Sequence, residues 1–465
     1  MIRALLISTL VVGCKSDDVT VDDSDVADTD TDPVTAPSDC DPFDADKTVG
    51  LRLCLTGVAD GYTLFSPNRY QTTYLIDRNG DLVHEWETDY NPGHAAYLLG
   101  NGHLLRTAQD NPGTRFVAGG GGGRVQQFDW DGNIVWDFAY NTDEHFLHHD
   151  VELLPDGNIL MLAWQFYDQD TAIAAGRAPS KVDAQGVWVD SIIEVDPSTD
   201  DIVWAWYLFD HLVQDVDPSK DNYGVIADNP HRIDFNEVPL FGGPLGGLNP
   251  DWNHLNGIDY NDELDQILIS SRNQNELWIV DHVTGEIVYR WGNPSNYGAP
   301  GEQQLSSQHD PEWIDAGLPG EGNLIVFNNG ADWGYSSVME IAAQQEPDGT
   351  YPKESGDAWG PAGPLWFFED RDNFYSHYVS GVNRLENGNT LVCEGATGRF
   401  FEVTEAGEVI WEYVNPVNSQ GPMKQGEVAG GPGVSDNGVF RADRYPSDYP
   451  GFTGRDLTPQ GPIER

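Results

Sequence analysis

Four of the twelve histidines in this sequence occupy one position of an internal repeat. His94 and His149 open the same phrase, an apolar strand followed by a glycine-containing turn, and His254 and His309 open looser copies in which turn insertions stretch the spacing. A lone histidine in such a place is usually a structural residue, but four at equivalent positions favour a functional cluster. Neutral imidazoles act as metal ligands, proton carriers or nucleophiles. The repeat therefore predicts one site with several imidazoles, whose chemistry depends on the charged residues beside them.

Arg272 indicates that this site receives an anion. It is the only arginine between residues 233 and 289, a stretch dominated by acidic residues. A guanidinium holds the oxygens of a tetrahedral oxyanion with two hydrogen bonds and repels a metal cation. Asp150 and Asp310 follow two of the histidines and would suit a metal. Because successive side chains of a strand point to opposite faces, we expect both aspartates outside the histidine pocket, and we predict no metal.

The elements that would position these residues are short, recurring strands. A second phrase consists of an apolar strand, a turn with Asp or Gly, and a strand that ends in an aromatic residue. Its six copies span residues 74–86, 125–136, 193–204, 277–289, 338–366 and 401–411. With the first phrase, each copy makes two β-hairpins and hence a four-stranded blade. The sequence thus predicts an all-β, six-bladed β-propeller, whose innermost strands would bring the four histidines to one mouth of the axis.

Two stretches outside these phrases have predicted places in the fold. The blade around residues 61–86 lacks a first phrase, whereas the last blade has one that begins at Ser380. We expect Gly438–Ala442 to supply the missing strand, because a closed ring leaves no sheet edge exposed. The glycine run Gly119–Gly123 is predicted to be a flexible loop, since no Lys-Ser or Lys-Thr follows it as in a P-loop.

The first 48 residues are predicted to precede the folded domain, which spans residues 49–465. Residues 1–13 combine Arg3 with a short apolar run, as is typical of a signal peptide. The sequence Val11-Val12-Gly13-Cys14 resembles the lipobox of bacterial lipoproteins, so Cys14 would carry a lipid anchor. An ordinary secretory signal is the alternative; both imply export to the periplasm or the cell exterior. Residues 14–48 are rich in Asp and poor in large apolar residues, which predicts a disordered tether.

Charge and cysteines restrict the partners and the compartment. The formal net charge is -52, from 76 acidic and 24 basic residues. Such a surface repels nucleic acid and anionic lipid, which leaves the N-terminal lipid as the membrane contact. In an oxidising compartment Cys40 and Cys54 could form a disulfide. Cys393 lies in an apolar strand pattern and is predicted to be a buried, unreactive thiol.

Four clustered motifs resemble the bacterial arylsulfotransferases that act without an adenylyl-sulfate donor. In chain order they are Asp251-Trp-Asn-His254-Leu-Asn256-Gly, Leu268-Ile-Ser-Ser-Arg272, Ser307-Gln308-His309-Asp310 and Phe327-Asn-Asn329-Gly330. The resemblance extends over most of residues 60–450. It implies a six-bladed propeller, which agrees with the repeat count. It also implies an enzyme that moves a sulfuryl group from a phenolic sulfate ester to a phenol, through a sulfated histidine and without a cofactor.

The resemblance implies a role for each motif. His309 matches the nucleophile, and His254 with Arg272 matches the pair that holds the sulfuryl oxygens and the leaving oxygen. His149 matches the remaining histidine, although the register leaves His148 as the alternative. The residues predicted to bind substrate are His94, Asn256, Asn329 and Trp313. Phenol rings need flat apolar walls, and the aromatic residues near the motifs are predicted to supply them: Trp252, Trp313, Trp333, Tyr335 and Phe374.

Three alternative hypotheses stay open at this point. A propeller can bind a protein or a small ligand at the same mouth without any chemistry. Hydrolysis of the sulfated histidine would make the protein an aryl sulfate hydrolase, because acceptor choice depends on the shape of the pocket. The segment Asp281–Trp291 also suggests a quinone-dependent dehydrogenase propeller, but the sequence lacks the acidic metal site that such an enzyme would need.

Overall fold

Short antiparallel strands dominate the computed structural model, which describes residues 46–237, 247–427 and 436–465. Six sheets of four or five strands form the blades of a β-propeller, so the predicted fold class is confirmed. Cys14, Cys40 and residues 1–45 as a whole lie outside the described residues. Among the described residues, no helix is both long and apolar enough to cross a membrane.

Strands are numbered along the chain from β1 (Gly50–Cys54). Blade 1 contains β2 (Tyr62–Pro67), β3 (Thr73–Asp77) and β4 (Leu82–Trp86). Blade 2 contains β5 (Pro92–Leu98), β6 (Leu104–Gln109), β7 (Gly123–Phe128) and β8 (Ile134–Ala139). Blade 3 contains β9 (His145–Leu153), β10 (Ile159–Tyr167), β11 (Val187–Asp196) and β12 (Asp201–Tyr207). A short helix α1 (Gln169–Ala174) lies between β10 and β11, and β13 (Leu212–Val213) pairs in parallel with β14 (Ile233–Asp234).

The remaining blades follow the same order. Blade 4 contains β15 (Leu255–Asn261), β16 (Gln266–Ser271), β17 (Glu276–Asp281) and β18 (Ile287–Trp291). Blade 5 contains β19 (His309–Trp313), β20 (Leu324–Asn328), β21 (Ser337–Ile341) and β22 (Trp366–Glu369). Blade 6 contains β23 (Gly381–Arg384), β24 (Thr390–Glu394), β25 (Arg399–Val403) and β26 (Val409–Val414). A two-stranded hairpin, β27 (Val417–Asn418) and β28 (Gly421–Pro422), precedes the last strand, β29 (Val439–Tyr445).

The last strand closes the ring, as the sequence repeat predicted. β29 pairs with β2 and is the innermost strand of blade 1, with Tyr445 opposite Tyr62 and Val439 opposite Pro67. The frame did not predict β1, which adds a fifth strand to the outer edge of blade 6 by pairing with β26. Cys54 at the end of β1 is disulfide-bonded, while its predicted partner Cys40 lies outside the described residues. Cys393 is a free, buried thiol, as predicted.

A tryptophan on each outer strand ties its blade to the next one. The indole Nε1 donates a hydrogen bond to a turn or loop of the neighbouring blade, over 2.8 to 3.0 Å. From blade 1 to blade 6, the donors and acceptors are Trp86 and Asp129, Trp136 and Asp200, Trp206 and Gly285, Trp291 and Pro361, Trp366 and Glu405, and Trp411 and Arg78. The sixth bond returns to blade 1 and completes the circle.

Two of these tryptophans lie two positions after the aromatic residues that the sequence repeat predicted at the ends of the outer strands. The predicted residues in blades 3 and 4 were Trp204 and Tyr289, whereas Trp206 and Trp291 make the contacts. The hairpin turns of these two blades are one residue longer than the turns in blades 2 and 6.

Candidate active site

The innermost strands bend at one mouth of the channel. A bulge in β9 spans His148–Asp150, and β5, β15 and β19 carry irregularities at or beside the predicted histidines. His94, His149 and His254 have φ angles of 126°, 52° and 55°, in a region that non-glycine residues rarely adopt. Ser380, the equivalent residue of blade 6, has φ 97°. Bulges re-aim side chains, and unusual backbone at equivalent positions of several blades is typical of functional sites.

The re-aimed side chains meet in a cavity of about 1000 Å³. The predicted residues that line it are His94, His149, His254, Arg272 and His309. The ring centroids of His149 and His254 are 4.5 Å apart, and those of His94 and His149 are 5.6 Å apart. Phe440, which β29 contributes, packs against the cluster with its centroid 4.7 Å from that of His94. The structure therefore brings together the residues that the repeat frame and the motifs selected.

The tautomer of His309 is fixed by its neighbours. Its Nδ1 lies 2.7 Å from Asn329 Oδ1 and 3.1 Å from the Ser307 carbonyl oxygen. The Asn329 amide cannot be reversed, because its Nδ2 donates to the carbonyls of Ser376 and Val379 over 2.7 and 2.9 Å. Since both oxygens beside Nδ1 are acceptors, Nδ1 carries the proton. The lone pair of His309 is therefore on Nε2.

The surroundings of His309 also keep its ring neutral. The side chain is almost completely buried, and burial is the largest cause that holds its pKa well below the usual value. The guanidinium of Arg272 is the second cause, while the contacts with Asn329 and Ser307 act in the opposite direction. A neutral imidazole with one free lone pair in a buried pocket is a competent nucleophile.

Arg272 and His254 form the anion-binding side of the cavity. His254 Nδ1 lies 2.5 Å from Asp251 Oδ2, and the Arg272 backbone N–H donates to the His254 carbonyl over 3.2 Å. The Arg272 guanidinium donates to Asn273 Oδ1 over 3.0 Å and forms no salt bridge with any carboxylate of the described residues. Burial lowers the pKa of Arg272, although Asp251 and Asp332 oppose this effect. A guanidinium without a salt-bridge partner among the described residues, in a cavity lined by imidazoles, is suited to hold an oxyanion.

The structure places His149 at the cavity and His148 behind it. The two Nδ1 atoms are 2.8 Å apart, so one imidazole donates to the other. His148 stacks on Trp164 with centroids 4.1 Å apart, and its Nε2 lies 3.2 Å from Asp190 Oδ1, although not in good hydrogen-bond alignment. Burial, followed by the neighbouring His254 and His148, holds the pKa of His149 well below its usual value.

The glycine run is packed against these histidines, which corrects the expectation of a flexible loop. The His149 N–H donates to the Gly120 carbonyl over 2.8 Å, and the Gly122 N–H donates to the Leu147 carbonyl over 3.0 Å. Gly120 has φ 83° and lies against the His149 ring so closely that a methyl group there would overlap it. The segment has this composition because the backbone itself forms one wall of the site.

Three of the predicted substrate-binding residues lie elsewhere. Asn256 is fully buried and donates to the Gln308 carbonyl over 2.8 Å, so it supports the chain that leads to His309. Asn329 orients His309 as described above. Trp313 lies at the other end of β19, where it lines a second cavity of about 600 Å³ at a distance from the histidines. His94 does line the histidine cavity; burial lowers its pKa to about 4, and its Nδ1 has no hydrogen-bond partner among the described residues.

The predicted aromatic walls are also corrected. None of Trp252, Trp313, Trp333, Tyr335 and Phe374 lines the histidine cavity. Trp252, for example, is buried in the core, where its indole donates to the Glu237 carbonyl over 2.6 Å. The aromatic rings that line the cavity belong to Phe116, Phe146 and Tyr378. Loops from several blades meet at the mouth, so nearness to a motif in sequence did not identify them.

Asp150 and Asp310 lie outside the histidine pocket, as predicted. Both pair with Arg441 of β29, whose Nη2 lies 3.0 Å from Asp150 Oδ2 and 2.6 Å from Asp310 Oδ1. Burial raises the pKa of Asp310 to about 6, and Arg441 acts against this rise. The three side chains tie blades 1, 3 and 5 together inside the channel. Sequence reasoning identified the strand that carries Arg441 but assigned the residue no role.

A family comparison bears directly on this site. The family model described as Arylsulfotransferase (ASST) matches residues 52–351, a segment that includes the four histidines, Arg272 and Asn329. The chain belongs to the arylsulfotransferase family. Membership supports sulfotransferase activity in general, on small-molecule substrates. A comparison with curated proteins gives no match.

Solved structures resemble this chain at low identity and low TM-score. A protein of unknown function from Bacteroides caccae is 11% identical, over 76% of this chain and 93% of that chain, with a TM-score of 0.42. BamB from Moraxella catarrhalis is 13% identical, over 74% and 71%, with a TM-score of 0.32. The Cps50 (Swd1) propeller domain of Myceliophteria thermophila is 12% identical, over 79% and 90%, with a TM-score of 0.40. Similarity at this level carries no information about function.

The packing of Gly120 in this arylsulfotransferase-family chain leads to a sharp prediction. We expect Gly120→Ala to lower sulfotransferase turnover by about 10²-fold, because the added methyl group must displace the His149 ring and a misplaced group in an active site costs about that much. Alanine at this positive φ also costs about 1–2 kcal/mol of stability. Steady-state turnover and a thermal melt of the purified variant measure the two effects.

Gly119→Ala is the matched control. A Cβ at Gly119 would meet no other heavy atom within 4 Å, and its φ is not positive. We expect its turnover and melting temperature to stay close to those of the wild type. If Gly120→Ala were as active as Gly119→Ala, the contact between the glycine run and His149 would have no part in the activity.

Proposed function

We propose that this chain transfers a sulfuryl group from a phenolic sulfate ester to a phenol, through a covalent sulfohistidine on His309. One observation carries the proposal. The Nδ1 proton of His309 is held by Asn329 and Ser307, which leaves the lone pair on Nε2. The same cavity contains Arg272, which has no salt-bridge partner among the described residues. A neutral nucleophile beside such a cation suits attack on an anionic sulfate ester.

The first half-reaction loads the enzyme. The Nε2 lone pair of His309 attacks sulfur, the N–S bond forms, and the S–O bond to the aryl group breaks with its electron pair on the phenolate oxygen. Like phosphoryl transfer, this step spreads charge over equatorial oxygens, so positioning and fixed donors supply most of the catalysis. Arg272 and His254 line the same cavity as His309, which supports a role for them in holding those oxygens. Phe116, Phe146 and Tyr378 line the cavity and can contact the aryl ring.

In the second half-reaction the sulfuryl group passes from His309 to the acceptor phenol. The acceptor oxygen attacks sulfur, the N–S bond breaks, and the electron pair returns to Nε2 of His309. The phenolic proton must leave at the same time, so the cavity needs a proton acceptor besides His309. His149 and His254 both face the cavity and could take that role.

The proposal includes export, with a lipid anchor at Cys14 in the sequence that resembles a lipobox. Cys54 supports an oxidising compartment because it is disulfide-bonded. The anchor would hold the propeller near a membrane surface, and the residues before position 46 would act as its tether. Metabolic labelling with a fatty acid, compared between the full chain and Cys14→Ala, would test the anchor.

The test of the transfer measures nitrophenol release from nitrophenyl sulfate by the purified chain, with and without phenol. Without phenol, we expect a burst that matches the amount of enzyme and leaves a sulfuryl group on the peptide that contains His309, detectable by mass spectrometry. With phenol, release should become continuous and phenyl sulfate should accumulate.

Two other results would replace the proposal. Continuous release that does not depend on phenol would identify a hydrolase. The absence of any burst with several aryl sulfates, from a chain whose folding is shown by a cooperative thermal melt, would favour a propeller that only binds its ligand.

A further inference from the structure

A buried chain of three side chains ends at the cavity. Asp190 Oδ1 accepts the Leu255 N–H over 3.1 Å and lies 3.2 Å from His148 Nε2, and His148 Nδ1 lies 2.8 Å from His149 Nδ1. The side chains of His148 and Asp190 are fully inaccessible to solvent. His149 alone reaches the cavity, which it lines together with His254 and His309. The His148–Asp190 contact is at salt-bridge distance but outside good hydrogen-bond alignment, so the three side chains place a buried carboxylate beside the ring that bonds to His149, which faces the place where substrate would bind.

The Asp190 carboxylate and the burial of both rings restrict which nitrogens of His148 and His149 can carry a proton. The bond between the two Nδ1 atoms contains one proton, which can belong to either ring. When it belongs to His148, that ring is an imidazolium beside the Asp190 carboxylate, and His149 is neutral with its proton on Nε2. When it belongs to His149, both rings are neutral and His149 presents a lone pair on Nε2. In neither arrangement does His149 bear the charge, which is consistent with the burial of its ring.

We propose that Asp190 and His148 are positioning residues that make His149 the proton shuttle of the reaction, an inference that rests on the proposed sulfuryl transfer. As the donor ester breaks, His149 Nε2 gives its proton to the leaving aryl oxygen, and the shared proton moves from His148 to His149 Nδ1. As the acceptor phenol attacks the sulfated His309, its proton passes to His149 Nε2 and the shared proton returns to His148. Over a full cycle no proton is gained or lost, and no step requires Asp190 to take up a proton.

His254 is less suited to this role. Its single carboxylate partner, Asp251, holds Nδ1 at 2.5 Å, and its backbone is tied to Arg272 on the anion-binding side. Its side chain is also 12% accessible, whereas His148 and Asp190 are sealed from solvent. Because solvent does not reach His148 and Asp190, the proton stays with these side chains between the two half-reactions, as a proton shuttle requires. His254 therefore belongs with Arg272 as a group that holds the sulfuryl oxygens.

The experiment compares burst rates for aryl sulfates whose leaving phenols range from acidic nitrophenol to basic methylphenol. A basic leaving group needs a proton and an acidic one does not. We expect Asp190→Asn, which keeps the shape and the bond from Leu255, to be only slightly slower than the wild type with nitrophenyl sulfate. With methylphenyl sulfate it should be about 10²-fold slower or more, as for the loss of a general acid. His148→Gln, which cannot relay a proton, should show the same dependence.

Asp251→Asn is the control, because it changes the carboxylate partner of His254 and leaves the chain to His149 intact. Its loss of rate should not depend on the leaving group. The inference is overturned if Asp190→Asn and His148→Gln lose the same factor with every donor, or if the dependence appears in Asp251→Asn instead. Failure of the proposed function is distinguishable, since the wild-type chain would then give no burst with any donor.

Discussion

Replacing His309 by alanine is expected to lower aryl sulfate turnover by at least about 10³-fold, because removal of a covalent nucleophile leaves only binding and electrostatic stabilisation. His309 is distinguished from its neighbours by the contact with Asn329 that aims its lone pair. His149 Nδ1 is engaged with His148 instead, and His254 Nδ1 is engaged with Asp251. Burst amplitude with nitrophenyl sulfate measures the loss directly.

The variant is expected to remain folded. Asn329 keeps its bonds to Ser376 and Val379, while its Oδ1 and the Ser307 carbonyl lose the contact with His309, at a cost of about 1–3 kcal/mol for each group left without a partner. His211→Ala is the control, because it removes an imidazole that is stacked on Trp206 in blade 3 and does not line the cavity. A burst of wild-type amplitude from a well-folded His309→Ala would assign the covalent intermediate to another residue.

The repeat made the fold and the convergence of the histidines predictable. Strand periodicity and turn chemistry are local signals, and Asp77 with Gly80 shows how they work: the aspartate accepts the N–H groups of Asn79 and Asp81, while the glycine takes φ 80°. Once the blades are counted, equivalent positions must meet at the axis. The same logic placed Gly438–Ala442 in blade 1 before any contact was known, and the structure extends that strand to Tyr445.

The positions and contacts of individual side chains could not be predicted in the same way. Trp313 was chosen because it follows His309 closely, yet four residues along a strand correspond to roughly 13 Å, which moves the side chain towards the opposite mouth. Asp190 lies in an ordinary apolar strand, and only the pairing of β10 with both β9 and β11 brings it near His148. Asp251 could have been found, since it stands three residues before His254 inside a quoted motif.

The strand that closes the ring is expected to be indispensable. A chain that ends after residue 437 should not fold, because it lacks β29. Val439 and Phe440 are fully buried, and their burial contributes about 1.5–3 kcal/mol each. Loss of Arg441 would leave the buried carboxylates of Asp150 and Asp310 unpaired, and breaking a buried pair costs about 3–5 kcal/mol. The sum, about 10 kcal/mol with the lost backbone bonds to β2, is comparable to the whole stability of a typical domain, about 5–15 kcal/mol.

A variant truncated after residue 449 distinguishes the effect of losing β29 from the effect of losing the residues that follow it. It retains β29 but loses Phe452 from the core, and it also loses the bonds that join Leu82 to Gln460 and Gly461. We expect it to fold with a lower melting temperature and to keep a nitrophenol burst, since the residues that line the histidine cavity all precede the cut. Circular dichroism and thermal melts compare the two truncations. If the shorter chain melted as cooperatively as the longer one, closure by β29 would not be what holds the ring together. The histidines of blades 2 to 5 would then be positioned by contacts between neighbouring blades alone.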